Sequence, residues 1–160
     1  MDNSTFMVAK KVNDLIREYV SIEDELFKPS FRKVLPIPGI FRPVPYSVHR
    51  ERLEEMLSEL ESAKKDIRSL KPDSDSQEGE FLITLRAYIN AFKVGLSELF
   101  RICGRLQNRS EGKGYSREEY KQDAIELRKM EMEYFAIGKK LNTLFSELME
   151  KDSISQEAEG

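Results

Sequence analysis

The sequence predicts an all-α chain, a four-helix bundle with one long Pro-rich crossover between helices 1 and 2. Three observations carry this expectation. Apolar residues recur at alternating spacings of four and three over long runs, the heptad form of the helical period. Two runs end at a proline, and two begin at a Ser-x-x-Gln or Ser-x-x-Glu pattern that can cap a helix.

Helix 1 is expected over residues 4–28, where Val8, Val12, Leu15, Tyr19, Ile22 and Leu26 form one stripe. Pro29 stops it, because proline has no N–H and disfavours the helical conformation in the residue before it. Helix 2, residues 47–71, carries Leu53, Met56, Leu60, Ala63, Ile67 and Leu70, starts at Ser47 as N-cap and ends before Pro72. Its other side holds Glu54, Glu55, Glu59, Glu61, Lys64, Lys65 and Arg68, so it buries one narrow seam.

Helix 3, residues 75–108, opens at Ser74-x-x-Gln77 and carries Leu82, Leu85, Ile89, Phe92, Leu96, Leu99, Cys103 and Leu106. Further stripes through Phe81, Tyr88, Gly95 and Ile102, and through Ala87 and Ala91, make it the expected centre of the core. Helix 4, residues 116–151, opens at Ser116-x-x-Glu119 and carries Leu127, Met130, Tyr134, Ile137, Leu141, Leu144 and Leu148. Residues 1–151 thus read as a single domain, and 152–160 as a disordered acidic tail.

Short turns near 72–76 and 109–115 make helices 2, 3 and 4 run antiparallel in sequence. The crossover, residues 29–46, is long enough to change the direction of the first pair. In an extended polyproline-type path it reaches about 55 Å, more than the roughly 36 Å of a helix of this length. It therefore favours parallel helices 1 and 2, the competing topology being up-down-up-down with the segment folded over one end.

Chain composition removes several kinds of chemistry. With 160 residues the chain can bury a self-sufficient core, so no metal or disulfide is needed to fold it, and no cofactor is expected. Cys103 is the single cysteine, which fits a reducing compartment, and the N-terminus lacks the basic and apolar regions of a signal peptide; the expected location is cytoplasmic. No apolar run is long enough to cross a bilayer. His49 is the only histidine, so two-histidine di-iron sites are excluded and a histidine-based nucleophile has one possible base.

Three groups of residues are candidates for function. The crossover and the start of helix 2 hold Arg32, Lys33, Arg42, Arg50 and Arg52 in a chain whose net charge is -3, a pattern suited to contacting an anion. Its bland alternative is that Phe31, Val34, Leu35 and Ile37 pack on the bundle while the cations stay in water. Nucleic acid is not favoured, because the rest of the chain supplies no matching basic face and acidic clusters at 73–80 and 147–159 would repel phosphate. Tyr19, Tyr88 and Tyr134 fall at one level of the bundle and could rim a small-molecule pocket, with Asn90 or Glu131 orienting the ligand and Gly95 and Gly138 leaving room. Alternatively, the tyrosines simply fill the core. Finally, Ile125, Met132 and Phe135 lie opposite the buried stripe of helix 4 and form a candidate interface, to be covered by a second subunit or, as the rival reading, by the crossover.

The leading functional expectation is a non-enzymatic helical protein that acts through protein contacts, with homodimer formation as one form. A small-molecule-binding bundle is the alternative, and an enzyme using only carboxylates, tyrosine and arginine is the third reading.

Overall fold

The computed structural model describes residues 1–27, 43–70, 73 and 75–158, with side chains as far as 151. Four helices account for nearly all of them: α1 (Asn3–Phe27), α2 (Tyr46–Leu70), α3 (Gln77–Ser110) and α4 (Arg117–Ala158). The all-α bundle read from the heptads is what forms, and there is no strand among the described residues.

The helix ends follow local chemistry. Ser76 caps α3 by accepting the Gly79 N–H at 2.9 Å, two residues beyond the expected Ser74. Asp73 supports that cap, its carbonyl accepting both the N–H and the hydroxyl of Ser76. At the other end, Gly112 adopts φ 81°, a left-handed conformation that a Cβ would strain. Gly112 N–H then reaches Arg109 O at 3.0 Å and Lys113 N–H reaches Asn108 O at 2.9 Å, the bond pair of a Schellman stop. The box at the start of α4 forms in both directions: Glu119 N–H to Ser116 Oγ, and Ser116 N–H to Glu119 Oε2.

Two boundaries differ from the sequence reading. Ser47 is not the cap of α2, because the helix already begins at Tyr46 and Pro45 O accepts the His49 N–H. Helix α4 continues to Ala158 instead of stopping near 151, so the stretch expected as a disordered tail opens as helix. No proline or glycine interrupts the chain between Gly138 and Gly160, and nothing local ends the helix earlier.

Cross-helix pairs fix the directions. Glu25 lies by His49 and Glu18 by Arg52, which sets α1 antiparallel to α2. Tyr46 and Cys103 meet at one level, as do Glu61 and Lys93, so α2 is antiparallel to α3. Arg105 pairs with Glu119 and Glu80 with Lys140, giving the same relation for α3 and α4. The bundle is therefore up-down-up-down, and the parallel arrangement of helices 1 and 2 is corrected. Reach was the wrong criterion: a connection long enough to span the bundle does not have to span it. Phe27 and Tyr46, which flank the connection, lie at the same end, near Tyr120 and Cys103 respectively.

Every predicted stripe residue of α1 is buried, as are Leu53, Met56, Leu60, Ala63 and Ile67 of α2; Leu70, the last residue of α2, is only half-buried. Helix α3 supplies the most core side chains, from Phe81 to Leu106, although Ile83 and Val94 stand exposed on its outer side. One pair of helices is different. Among the described residues no Cα of α1 comes within 8 Å of a Cα of α4, and the space between them is bridged by long side chains. Phe6 meets Phe145, Tyr19 meets Tyr134, and Phe27 meets Tyr120 along this seam.

Candidate functional site: the tyrosine–carboxylate seam between α1 and α4

Midway along the seam the stripe of α4 contains an acid. Glu131 follows Leu127 by four residues and precedes Tyr134 by three, so the helical period turns it inward with them. It is 1% exposed, and a buried carboxylate requires hydrogen bonds to offset its desolvation. Tyr19 of α1 donates its hydroxyl to Glu131 Oε1 at 2.8 Å. Arg128, one turn back on α4, donates to Oε2 at 3.2 Å while most of its side chain remains in water. Glu23, one turn after Tyr19, is half-buried and close enough to this carboxylate to feel its charge.

Burial and the neighbouring charge of Glu131 push the Glu23 carboxyl up to about 7, against an ordinary value of 4.5. The phenols of Tyr19 and Tyr134 are raised well above their ordinary range, by burial first and by the nearby carboxylate second. Burial pushes Tyr88 up to about 12. All three phenols therefore stay protonated at neutral pH, as hydrogen-bond donors.

The three tyrosines do meet at one level. Tyr19 lies one turn past the middle of α1, and with α1 antiparallel to α2 it comes level with Tyr134. The rings pack edge to face: Tyr88 and Tyr134 have centroids 5.9 Å apart, Tyr19 and Tyr134 6.4 Å, and Phe92 lies 5.3 Å from Tyr19. The glycines beside them are filled by rings. A Cβ on Gly138 would lie 3.1 Å from Tyr88 Cε2, and one on Gly95 would lie 3.4 Å from Tyr134 Cε1. Asn90 does not join this cluster; it is exposed on the outside of α3, whereas Glu131 faces the cluster and accepts the Tyr19 hydroxyl.

The basic candidates separate. Arg32, Lys33 and Arg42 lie outside the described residues. Arg50 turns toward α3, its guanidinium 5.1 Å from the Phe100 ring centroid. Arg52 turns toward α1 and spends its donors on carboxylates. It grips Glu18 with two bonds of 2.6 and 2.7 Å and also reaches Glu59 at 2.7 Å and Glu55 at 3.0 Å. An incoming anion would have to displace them. Beside this fork a groove of about 530 Å³ runs between α1 and α2, with Val8 and Leu15 at its floor and Lys10, Lys11, Asp14 and Asp66 at its rim.

On α4, Ile125, Met132 and Phe135 are 52%, 65% and 48% exposed. Phe135 flanks the seam, its ring centroid 4.7 Å from that of Tyr134 and with Arg128 above it. A second buried carboxylate, Asp123, ties α3 to α4 by accepting from Arg101, Arg105 and Tyr115. Burial opposes its ionisation, but these donors prevail and hold it below the ordinary carboxylate range.

Nucleophile chemistry finds little footing. Cys103 is buried and donates to Tyr46 O, and burial pushes its thiol up to about 11, leaving it neutral. His49 lies by Glu25, with Nε2 to Oε2 at 3.1 Å. Among the described residues no three of His, Cys, Asp and Glu converge as metal ligands would, and no helix is long and apolar enough to cross a membrane.

Sequence reasoning placed Glu131 on the correct face and missed Glu23. The available signal was Glu23's position four residues after a core tyrosine, on the same side of α1. No protein-family model, no curated protein and no solved structure matches this chain.

Proposed function

We propose that the protein is a non-enzymatic, cytoplasmic helical bundle that acts through protein contacts, with the outer side of α4 as the surface and a second copy as its first partner. The observation that supports this reading is the exposure of Ile125, Met132 and Phe135, large apolar side chains at seven- and three-residue spacings on a helix whose buried stripe is already satisfied elsewhere. Each is already about half covered, so completing its burial gains roughly half of the ~1.5–3 kcal/mol of a whole side chain, a contribution that favours association. The packed tyrosines and the saturated Arg52 offer a small ligand less than this face offers a protein.

The test is the solution mass. Sedimentation equilibrium of the full chain should give a mass that rises with concentration, and the double variant Met132→Asp/Phe135→Asp should remain monomeric with an unchanged helical circular dichroism spectrum. A wild-type chain that stays monomeric throughout, or a variant that associates as before, removes the α4 face as a self-contact.

A further inference from the structure

The apolar face of α4 is set in a basic surface. Taking about 100° per residue, the side of α4 within about 60° of Met132 holds, over residues 121–143, Ile125, Phe135 and the exposed cations Lys121, Arg128, Lys129 and Lys139, and no acid. Two such faces laid against each other would bring these cations together, and like charges across an interface are disfavoured. A surface that is apolar and negatively charged is the better match for it.

The groove between α1 and α2 has both properties. Buried Val8 and Leu15 form its floor, and the exposed side chain of Met7 stands at its lip. At one end Arg52 is outnumbered by the three carboxylates it binds, those of Glu18, Glu55 and Glu59. Along the rest of the rim Lys10 and Lys11 are matched by Asp14 and Asp66, so the groove as a whole is negative, with the excess at the Arg52 fork. The lengths agree as well: Met7 to Glu18 covers about 16 Å of α1, and Ile125 to Phe135 about 15 Å of α4.

The two surfaces lie on different sides of the bundle. Helix α2 packs on α1 and α3, and among the described residues no Cα of α2 comes within 8 Å of a Cα of α4. A copy that gives its α4 to one neighbour therefore leaves its groove open to another.

We propose that the α1–α2 groove receives the outer face of α4 from a second copy, in a head-to-tail contact that does not close into a two-fold dimer. This inference rests on the α4 self-contact proposed above and names the surface that α4 meets.

The experiment pairs two full-length variants by sedimentation. Met7→Lys/Asp14→Lys changes two exposed positions, two turns apart on α1, and makes the groove basic while leaving α4 intact. Met132→Asp/Phe135→Asp leaves the groove intact. Alone, each should associate at least about tenfold more weakly than the wild type. Mixed in equal amounts they should form a dimer of one chain of each and stop there, whereas the wild type should pass beyond the mass of a dimer as concentration rises. The inference is overturned, with the α4 self-contact left standing, if the wild-type mass levels off at a dimer or if the mixture stays monomeric. It is overturned in the same way if the groove variant associates like the wild type, as it would were the groove covered from within its own chain. A wild type that is monomeric at every concentration overturns both. Should the groove variant lose its helical circular dichroism, Asp14→Lys alone is read in the same way.

Discussion

Replacing Tyr19 with phenylalanine isolates the most buried polar contact of the bundle. The change removes one hydroxyl and keeps the ring, so the edge-to-face packing on Phe92 and Tyr134 is retained and almost no apolar area is lost. What disappears is the 2.8 Å bond to Glu131 Oε1, at a site where water cannot take its place. A hydrogen bond to a charged acceptor contributes about 1.5–3 kcal/mol. For a chain of this size each kcal/mol corresponds to about 2–4 °C, so Tm should fall by about 3–12 °C. Thermal melts followed by circular dichroism at neutral pH give the number directly. Melting Glu131→Gln and the double variant alongside completes a mutant cycle, in which the coupling should be at least about 1 kcal/mol. A Tyr19→Phe protein that melts within about 1 °C of the wild type, or two single effects that simply add, would show that the bond does not support the fold.

Two further outcomes follow from the geometry. Arg52→Ala should cost about 1 kcal/mol at neutral pH, because it leaves Glu18, Glu55 and Glu59 facing one another. The hydrogen bond from Arg52 holds the Glu18 carboxyl below its ordinary value, so the contribution is present above about 4.5 and lost as pH falls through the lowered value; melts of the variant should approach wild type in acid. Gly95→Ala should raise Tm, since its Cβ makes an ordinary contact with the Tyr134 ring and removing a mid-helix glycine gains about 0.5–1 kcal/mol. Gly138→Ala should gain less, because at 3.1 Å the Tyr88 ring must shift; equal gains at the two sites would contradict the packing described.

The helices were readable because each buries a stripe at the helical period, and period is a local property. Val8 to Leu26 and Leu53 to Ile67 could be assigned inward from spacing alone, and Ser116 with Glu119 from their three-residue separation. The direction of α1 was not readable, because the length of a connection limits how far its ends can be apart and says nothing of how close they are. Ser76 was overlooked for a similar reason: Ser74 and Ser76 both offer a hydroxyl, and the choice depends on the turn that Asp73 makes. Glu23 and Asp123 are the harder cases. Each is one acid among many on an amphipathic helix, and only the partner facing it, Glu131 or the Arg101 and Arg105 pair, gives it a role.

The up-down-up-down order also bears on how the chain reaches this structure. Three of its helix contacts, α1 with α2, α2 with α3 and α3 with α4, join neighbours along the sequence, and such local pairings close quickly. A smaller one sets α1 against α3 across the bundle. The last brings the first helix to the fourth, with the longest loop to close, and it does so through side chains only. As the chain leaves the ribosome, α1, α2 and α3 are complete before Glu131 exists to receive the Tyr19 hydroxyl. A contact that forms after the folding barrier acts on escape from the folded state and leaves the folding rate almost unchanged. On that order of events the seam would set how long the bundle stays closed more than how fast it forms.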